Sequence, residues 1–509
     1  MPVLQRISLT LLFVAVLGGC SSLPEGIDHP AEPYTSYGPS ALSVLADEYQ
    51  PVSEQATTAV RLQESGWDAL AQRLALVESA EHTIDIQYYI WNSDESGKYL
   101  ASRLLAAADR GVKVRVMLDD INLNEREGLL SALDAHPNVE IRIFNPTPTR
   151  RGFSKWLSFL GDFSRLNRRM HNKSFTVDGT LSVVGGRNIG DEYFDLSDKI
   201  NFRDRDVLVM GTVVTTIQTS FIEYWDSRWS YPVAMLGDEE QPDLSKIDDI
   251  TVPQYKNYPE LPLNREAADS LLKKALDEMT WVNARFAYDR PVPVDSDNTD
   301  EPKATAVLLG QLASESKQEI LLESAYLVFD DGQLDEWQTL NDEGVEIKAL
   351  TNSMASNDLV TNHSAYAGRR YDMLEHGIDL FELKPDSKLC EASTQDVSKC
   401  APETAYGLHA KSVVFDRSIA SIGSFNFNLR STYLNTESVL IIENKVIAET
   451  LAETIEQAMS EDNSWRLELE GGEVYWYSGE QSWDSEPETG KWERMQSGFL
   501  QLLPIEKYL

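Results

Sequence analysis

The chain has 509 residues, of which 82 are acidic and 45 are basic, and its formal net charge is −37. Hydrophobic residues make up 42% and charged residues 25%, a composition that excludes a wholly disordered chain and leaves room for a large core. A protein that binds duplex nucleic acid needs a basic surface facing the phosphates, so the charge balance argues against that class.

Residues 1–19 resemble a secretory signal peptide and are excluded from the predicted fold. Arg6 precedes a mostly apolar run over residues 7–17, which is too short to span a bilayer, and small residues lead up to Cys20. Cys20 resembles the lipid-modified cysteine of bacterial lipoproteins; the alternative is an incidental cysteine near a plain N-terminus. We expect a membrane-anchored lipoprotein that faces the periplasm, in the outer membrane if the host is Gram-negative.

Residues 20–57 are predicted to form a flexible tether, because prolines in this segment break helices and strands alike. The folded body follows as two lobes, over residues 58–260 and 261–509. Residues 291–303 are predicted to form a flexible insertion within the second lobe.

The folded body repeats one order of elements. In the first half the apolar patterns predict strand, helix, strand, helix and strand over residues 84–91, 97–110, 112–116, 125–135 and 139–144. In the second half the same order covers residues 320–329, 332–343, 345–350, 365–376 and 378–383. Strands that alternate with helices predict an α/β fold with two pseudo-symmetric lobes, each a mixed, mostly parallel sheet flanked by helices. The active site is expected at the lobe interface.

One polar signature occurs in both halves with identical spacing: His-x-Lys, four residues, Asp, six residues, then Gly-(Gly/Ser)-x-Asn. The first copy contains His171, Lys173, Asp178, Gly186 and Asn188. The second copy contains His409, Lys411, Asp416, Ser424 and Asn426. A match of this length in both halves is not expected by chance. On a strand, residues i and i+2 point to one side, so each histidine is predicted to project together with its lysine.

Two imidazoles and two ammonium groups brought face to face form a cationic pocket whose natural guest is a phosphate. The asparagines and the Gly/Ser turn add further donors. One imidazole can attack phosphorus, and the other can protonate the leaving alcohol and then activate the incoming one. This chemistry implies no cofactor and needs no metal, and His-x-Lys is not a metal-ligand spacing. Asp178 and Asp416 are expected to anchor strand ends by pairing with a basic group, rather than to act as direct catalysts.

The doubled motif resembles that of the phospholipase D superfamily, over roughly residues 70–509. The segments Arg169–Ser174 and Gly185–Phe194 further resemble the C-type bacterial cardiolipin synthases. The resemblance implies a phosphatidyl-histidine intermediate formed without metal, and transfer of a phosphatidyl group from phosphatidylethanolamine to phosphatidylglycerol. It assigns His171 as the nucleophile and His409 as the general acid and base.

Each imidazole also needs a carboxylate that holds its tautomer. Asp204, which follows His171 along the chain, and Glu437, which follows His409, each open an apolar run typical of the next strand. The family places an acid at a similar distance, so the spacing pairs each acid with the histidine of its own half. The rival acids in the first half are Asp191 and Glu192, and a solvated acid at a strand start is the alternative for either position.

Two further features bear on substrate and compartment. Between residues 150 and 173 there are seven basic residues and one acidic residue, with apolar residues at helical spacing. This pattern predicts a basic amphipathic helix suited to anionic lipid headgroups; a core-facing helix with solvated charges is the alternative. Cys390 and Cys400 are expected to form a disulfide, because exposed free thiols are a liability in an oxidising compartment; two unpaired thiols are the alternative.

Several functions are consistent with these patterns. The first is a phosphatidyltransferase of the cardiolipin synthase type, and the second is a hydrolytic phospholipase D in which water takes the phosphatidyl group. A phosphodiesterase or nuclease is a third, disfavoured by the acidic charge and the expected membrane anchor. A non-enzymatic lipid-binding scaffold conflicts with the two intact signatures. The expected partners are phosphatidylethanolamine, phosphatidylglycerol and a membrane surface, with no nucleic acid. The oligomeric state stays open, although a monomer carries both halves of the site.

Overall fold

The computed structural model describes residues 38–49, 51, 56–123, 127–147, 163–236, 258–291, 301–394 and 396–501. The predicted signal peptide, Cys20, most of the predicted tether and most of the predicted insertion lie outside these ranges. The prediction of a flexible tether is wrong for Ala41–Asp47, which forms a helix whose Leu42 and Ala46 are buried in the core of the first lobe. Within them, no helix combines the length and the apolar character that crossing a membrane requires.

The first lobe alternates strands and helices. Its strands are β1 (Thr58–Gln63), β2 (Thr83–Tyr88), β3 (Lys113–Asp119), β4 (Val139–Phe144), β5 (Ser174–Val177), β6 (Leu181–Gly185), β7 (Ile200–Arg203), β8 (Asp206–Gly211) and β9 (Ser230–Pro232). Its helices are α1 (Ala41–Asp47), α2 (Gly66–Ser79), α3 (Glu95–Asp109), α4 (Glu127–Asp134), α5 (Phe163–Leu166), α6 (Val213–Trp225) and α7 (Arg265–Asp277). The helix α7 follows the predicted boundary at residue 260, yet its apolar side chains pack in the same core as α2, so it belongs to the first lobe by packing.

The second lobe repeats the arrangement and then extends it. Its strands are β10 (Thr280–Tyr288), β11 (Glu319–Ser324), β12 (Glu346–Asn352), β13 (Ile378–Leu383), β14 (Ala405–Leu408), β15 (Lys411–Phe415), β16 (Ile419–Gly423), β17 (Ser438–Glu443), β18 (Ser464–Glu470), β19 (Glu473–Ser478) and β20 (Gln481–Trp483). Its helices are α8 (Ala304–Glu315), α9 (Asp331–Asp342), α10 (Val360–Glu375), α11 (Leu389–Ser393), α12 (Leu429–Tyr433), α13 (Lys445–Met459) and α14 (Lys491–Leu500). Single 3-10 turns cover Asp120–Asn122, Asp191–Tyr193, Val233–Met235 and Val397–Lys399.

Local sequence explains where these helices begin and end. Asp94 caps α3 by accepting a hydrogen bond from the backbone N–H of Gly97 at 3.0 Å, and Asp330 caps α9 in a reciprocal capping box with Gln333. After α3 the chain turns at Gly111, whose φ of 99° favours a residue without Cβ.

The two lobes share one continuous sheet, which runs in the order β9-β4-β3-β2-β5-β6-β8-β1-β10-β17-β16-β15-β11-β12-β13-β18-β19-β20. The order reads as a palindrome about the β1–β10 junction, so the α/β class with two pseudo-symmetric lobes is confirmed. A separate two-stranded parallel ladder joins β7 of the first lobe to β14 of the second.

The prediction of mostly parallel sheets is wrong. In the large sheet the parallel pairs are β2–β3, β3–β4, β11–β12 and β12–β13, and the other ladders are antiparallel. Helical crossovers make those four pairs parallel, because a chain that crosses over a helix returns in the same direction. By contrast, β5 and β6, like β15 and β16, are joined by short turns and must pair antiparallel.

Candidate active site

The two signature histidines lie where the lobes meet. His171 precedes β5, and its backbone N–H donates to the carbonyl of Thr436 at 2.9 Å. His409 lies between β14 and β15, and its backbone N–H donates to the carbonyl of Arg203 at 2.8 Å. The main chain of each histidine is therefore fixed by the opposite lobe, and both residues are 6% exposed.

The carboxylates that hold the imidazoles are exchanged between the lobes. His171 Nδ1 lies 2.7 Å from Glu437 Oε2, and His409 Nδ1 lies 2.5 Å from Asp204 Oδ2. The pairing of each acid with the histidine of its own half is therefore wrong, although the two acids are the predicted ones. Asp204 directly follows β7, which pairs with β14 ahead of His409, so the inter-lobe ladder brings this acid to the opposite histidine.

Glu437 is held from several directions. Its Oε2 accepts a hydrogen bond from Ser424 Oγ at 2.5 Å, and its Oε1 accepts one from Ser431 Oγ at 2.7 Å. Its backbone N–H donates to the buried carboxylate of Asp289 at 2.9 Å. The Glu437 side chain is fully buried, so these donors replace the water it has lost.

Asp204 has a different environment. Its Oδ1 accepts a hydrogen bond from the backbone N–H of Arg205 at 2.7 Å. Gly186 occupies the position that Ser424 has in the second signature, and a Cβ on Gly186 would approach Asp204 Oδ1 to 2.2 Å. The Gly-to-Ser difference between the copies is therefore structural: the glycine leaves space for Asp204, and the serine donates to Glu437.

The lysines of the signature lie beside the imidazoles. Lys173 Nζ donates to the carbonyl oxygen of His171 at 2.8 Å, and Lys411 Nζ donates to the carbonyl oxygen of His409 and lies 3.1 Å from its Nδ1. Burial lowers the pKa of Lys173 to about 7 and that of Lys411 to about 8, although nearby carboxylates oppose the shift. The pocket therefore carries positive charge that lacks full solvation, and an anion entering it is stabilised strongly.

The imidazoles are neutral in this environment. Burial lowers the pKa of His171 to about 4, although Glu437 opposes the shift. Burial and the charges of Lys411 and Lys173 lower the pKa of His409 well below its ordinary value. Burial raises the pKa of Glu437, but its contacts with His171 and Lys173 outweigh this and lower it overall. Burial raises the pKa of Asp204.

Aromatic rings pack edge-on against both histidines. The ring centroid of Tyr89 lies 4.8 Å from that of His171, and the centroid of Tyr193 lies 5.0 Å from that of His409. Phe202 lies 5.3 Å from His409 on another side. Sequence reasoning missed these residues, because nothing in the spacing of single aromatic side chains marks them as neighbours of the site.

Comparison with known proteins identifies the family. The model described as "Cardiolipin synthase, PLD-like domain" matches residues 74–225 and again residues 309–459. Cardiolipin synthase C of Escherichia coli (strain K12) is 36% identical over 87% of this chain and 94% of its own length. An uncharacterized protein of Helicobacter pylori (strain J99) is 30% identical over 94% of both chains.

The chain belongs to the phospholipase D superfamily. The resemblance stated from the doubled motif is confirmed. The crystal structure of phosphatidylserine synthase from Haemophilus influenzae Rd KW20 covers 92% of this chain and 100% of its own, with a TM-score of 0.57 and 12% identity, which shows the shared fold.

In this superfamily member the signature aspartates lie at the far end of the strand from the histidines. The Asp178 carboxylate accepts hydrogen bonds from the backbone N–H groups of three consecutive residues, Glu81 to Thr83. Asp416 does the same for Lys317 to Glu319. Both are anchors at the start of a neighbouring strand, but their partners are backbone amides and not the basic group that we expected. Neither lies beside the imidazoles.

The signature asparagines differ from each other. Asn188 Nδ2 donates to Tyr193 Oη at 3.0 Å, and its Oδ1 accepts from the backbone N–H of Ile90 at 3.3 Å. Asn188 therefore holds the ring that packs on His409. The Oδ1 of Asn426 is buried and has no hydrogen-bond partner among the described residues. Whether either amide contacts a phosphate stays a prediction.

The rival acids do not reach the imidazoles. Asp191 accepts hydrogen bonds from the first backbone N–H groups of α3, and Glu192 Oε1 accepts from Asn92 Nδ2 at 2.7 Å. The Asp191 carboxylate therefore caps the start of α3, and the Glu192 carboxylate binds a neighbouring loop.

The remaining predictions have mixed outcomes. Most of the predicted basic helix lies outside the described residues; within them, Arg169 is buried and its Nη1 lies 3.4 Å from Asp119 Oδ1. The disulfide between Cys390 and Cys400 is confirmed, with the two Cα atoms 5.8 Å apart. No cluster of three or more His, Cys, Asp or Glu side chains suited to a metal ion occurs among the described residues.

Proposed function

We propose that this chain is a phosphatidyltransferase of the cardiolipin synthase type, which moves a phosphatidyl group from phosphatidylethanolamine to phosphatidylglycerol. The observation that carries the proposal is the pair of buried imidazoles, each fixed through Nδ1 by a carboxylate. Neither Nε2 has a hydrogen-bond partner among the described residues, so both are available to substrate. Two lysine ammonium groups flank the imidazoles, and the name of the E. coli relative supports the choice of lipid chemistry.

In the first step, the Nε2 lone pair of His171 attacks phosphorus. A P–N bond forms, the P–O bond to ethanolamine breaks, and His409 donates a proton to the leaving oxygen. The negative charge of a bound phosphodiester offsets the charges of the two lysines. The pKa of His409 therefore rises, and His409 takes up the proton that it donates. Lys173 and Lys411 stabilise the charge on the non-bridging oxygens.

In the second step, neutral His409 accepts the proton of a phosphatidylglycerol hydroxyl. The oxygen attacks phosphorus, the P–N bond breaks and His171 is restored. The environment of Glu437 favours His171 as the nucleophile. The pKa of Glu437 is lowered, so Glu437 stays ionised. An ionised carboxylate at Nδ1 of His171 makes its Nε2 more nucleophilic. The pKa of Asp204, by contrast, is raised.

The decisive experiment uses purified protein with mixed vesicles of phosphatidylethanolamine and phosphatidylglycerol and resolves the products by mass. Cardiolipin together with ethanolamine is the expected outcome. Phosphatidic acid alone contradicts the transferase and identifies a hydrolytic phospholipase D. If neither cardiolipin nor phosphatidic acid forms, the result contradicts both the transferase and the phospholipase D. We also expect chelation of divalent metal by EDTA to leave the rate unchanged, because lysines supply the positive charge.

The roles of the histidines are separable with a donor whose leaving group needs no proton, phosphatidyl-p-nitrophenol. With this donor, His409→Ala is expected to form a covalent phosphatidyl adduct, whereas His171→Ala forms none. A quench in neutral denaturant, which spares the acid-labile P–N bond, followed by peptide mass spectrometry detects the adduct. On the natural donor both variants are expected to lose turnover. An adduct on His409 in the His171→Ala variant reverses the assignment.

We further propose that Cys20 carries a lipid anchor on a periplasm-facing lipoprotein, in the outer membrane if the host is Gram-negative. The apolar run and the small residues before this cysteine support the proposal. Metabolic labelling with palmitate is expected to mark the protein, and Cys20→Ser is expected to abolish the label. A labelled Cys20→Ser variant contradicts the anchor.

A further inference from the structure

We propose that Asp358, held by Tyr326, binds the ammonium group of the leaving headgroup on the His409 side of the site. The inference rests on the proposed function and adds to it the residues that recognise an amino-alcohol donor.

Tyr326 lies at the edge of the pocket. It is two residues past Ser324, the last residue of β11, and Ser324 pairs with Lys411 in the sheet. Its hydroxyl donates to the Asp358 carboxylate, 2.9 Å from Oδ1 and 3.2 Å from Oδ2. Tyr326 thus links the Asp358 carboxylate to the strand end that carries Lys411.

The loop that carries Asp358 packs against the segment leading to His409. Asn352, at the end of β12, exchanges two hydrogen bonds of 2.7 Å with the backbone of Leu408, the residue before His409. The carbonyl oxygen of Ser356 lies so close to Gly407 that a Cβ there would approach it to 2.6 Å. The loop therefore has a fixed position beside the general acid.

Asp358 has the properties of a site that binds a cation. The residue is exposed at the surface and forms no salt bridge within the part of the chain that the structure describes, while partial burial of its carboxyl raises its pKa and Tyr326 and Lys411 oppose that shift. Asp358 is also among the carboxylates that oppose the lowering of the Lys411 pKa by burial, so its charge acts at the pocket. A carboxylate beside the Tyr326 ring suits a primary ammonium, which gains a charge-assisted hydrogen bond and an aromatic contact.

The opposite side of the pocket contains arginines beside its carboxylates. Burial raises the pKa of Tyr89, the ring against His171; Arg430 and Arg169 oppose that shift, and Asp119 and Glu437 add to it. Asp120, in the corresponding loop of the first lobe, is buried and accepts hydrogen bonds from the N–H and hydroxyl of Thr147. The accessible carboxylate therefore lies on the side of the acid that protonates the leaving alcohol, which is where in-line displacement places the headgroup.

The test compares two donors of equal chain length, phosphatidylethanolamine and phosphatidylethanol, which lacks the amine. Phosphatidylglycerol is the acceptor in both. For Asp358→Asn we expect the ratio of kcat/KM values, amine donor over plain donor, to fall about 10- to 100-fold, the loss of one charge-assisted hydrogen bond. Tyr326→Phe keeps the ring and frees the carboxylate, and is expected to change the ratio in the same direction by less. Asp335→Asn, an exposed acid on α9, is the matched control and is expected to preserve the ratio.

An equal loss with both donors would show that Asp358 acts through Lys411 or His409 and overturns the inference. An unaltered ratio overturns it too, and both results leave the proposed function intact. A wild-type protein that transfers from neither donor contradicts the proposed function itself. A second readout needs no turnover: the His171→Ala chain is expected to bind glycerophosphoethanolamine in calorimetry more tightly than the His171→Ala, Asp358→Asn chain does, and equal affinities contradict the inference.

Discussion

At the residue scale, the site depends on contacts that cross between the lobes. His171 and Glu437 are 266 positions apart in sequence, and His409 and Asp204 are 205 apart. The four residues were predictable because a doubled motif and a following acid are sequence patterns. Their pairing was not, because it depends on how two distant strand ends meet in space.

The titration of these residues predicts a bell-shaped dependence of kcat/KM on pH. The nucleophile must be neutral, and His171 is neutral above its pKa of about 4, so kcat/KM rises through that value. His409 must gain a proton to act as the acid, and the lysines, which lose their protons near pH 7 and pH 8, must be charged, so kcat/KM falls toward alkaline pH. Because the histidines and lysines interact, the apparent pKa values of the rising and falling parts of the profile describe the coupled groups together and not single residues. Initial rates at low donor concentration between pH 3.5 and 10 measure the profile; a rise near pH 6.5 would contradict the neutral imidazole.

The space beside Asp204 gives a second prediction. Gly186→Ala places a methyl group where the Asp204 carboxylate lies, so we expect His409 to lose its alignment and kcat to fall about 100-fold. Ser424→Ala, at the matched position, removes one of several donors to Glu437 and is expected to cost about tenfold. Steady-state kinetics with circular dichroism checks both; a smaller effect for Gly186→Ala than for Ser424→Ala contradicts the steric reason.

At the scale of elements, the six strands and four helices predicted from apolar periodicity are present, with ends within five residues of the predicted ones. The direction of the strands does not follow. A short turn at Asp178 and again at Asp416 folds each signature strand back on itself, and the periodicity of a strand is the same in either direction. The expectation of parallel sheets failed for that reason.

The two turn aspartates give a prediction about stability. Both have φ near 50°, which asparagine adopts as readily as aspartate, so Asp178→Asn tests the charge-assisted hydrogen bonds alone. We expect a loss of about 1–3 kcal/mol in the free energy of unfolding, with kcat reduced far less than in the histidine variants. Asp416→Asn is the matched variant in the second lobe and is expected to behave alike. Urea unfolding together with kinetics measures both, and a loss of kcat equal to that of His171→Ala contradicts the anchoring role.

At the scale of the whole molecule, the lobes form one sheet and also meet through the β7–β14 ladder, which brings Asp204 to His409. The disulfide loop between Cys390 and Cys400 adds to this contact. Lys399 Nζ donates to the carbonyl of Leu196, and the carbonyl of Lys399 accepts from Asn201 Nδ2 at 3.1 Å. The two-lobed class was predictable from the repeat, whereas the junction through β1 and β10 was not, because the edge at which two sheets join leaves no separate pattern in the sequence.

The loop gives a prediction for the whole fold. Replacing both cysteines by serine is expected to lower the free energy of unfolding by about 2–3 kcal/mol, from the entropy gained by the open loop in the unfolded chain. We expect the change to be accompanied by a lower kcat, since the loop contacts the strand ahead of Asp204. Thermal unfolding with and without a reductant checks the first part, and the serine variant is the reductant-insensitive control. An unaltered melting temperature contradicts it.

The crossed carboxylates have a consequence for biosynthesis. During synthesis, His171 leaves the ribosome before Glu437, the acid that orients it, has been made. Until Glu437 has been synthesised, His171 lacks the carboxylate that orients it, so a product that ends before this residue lacks a complete site.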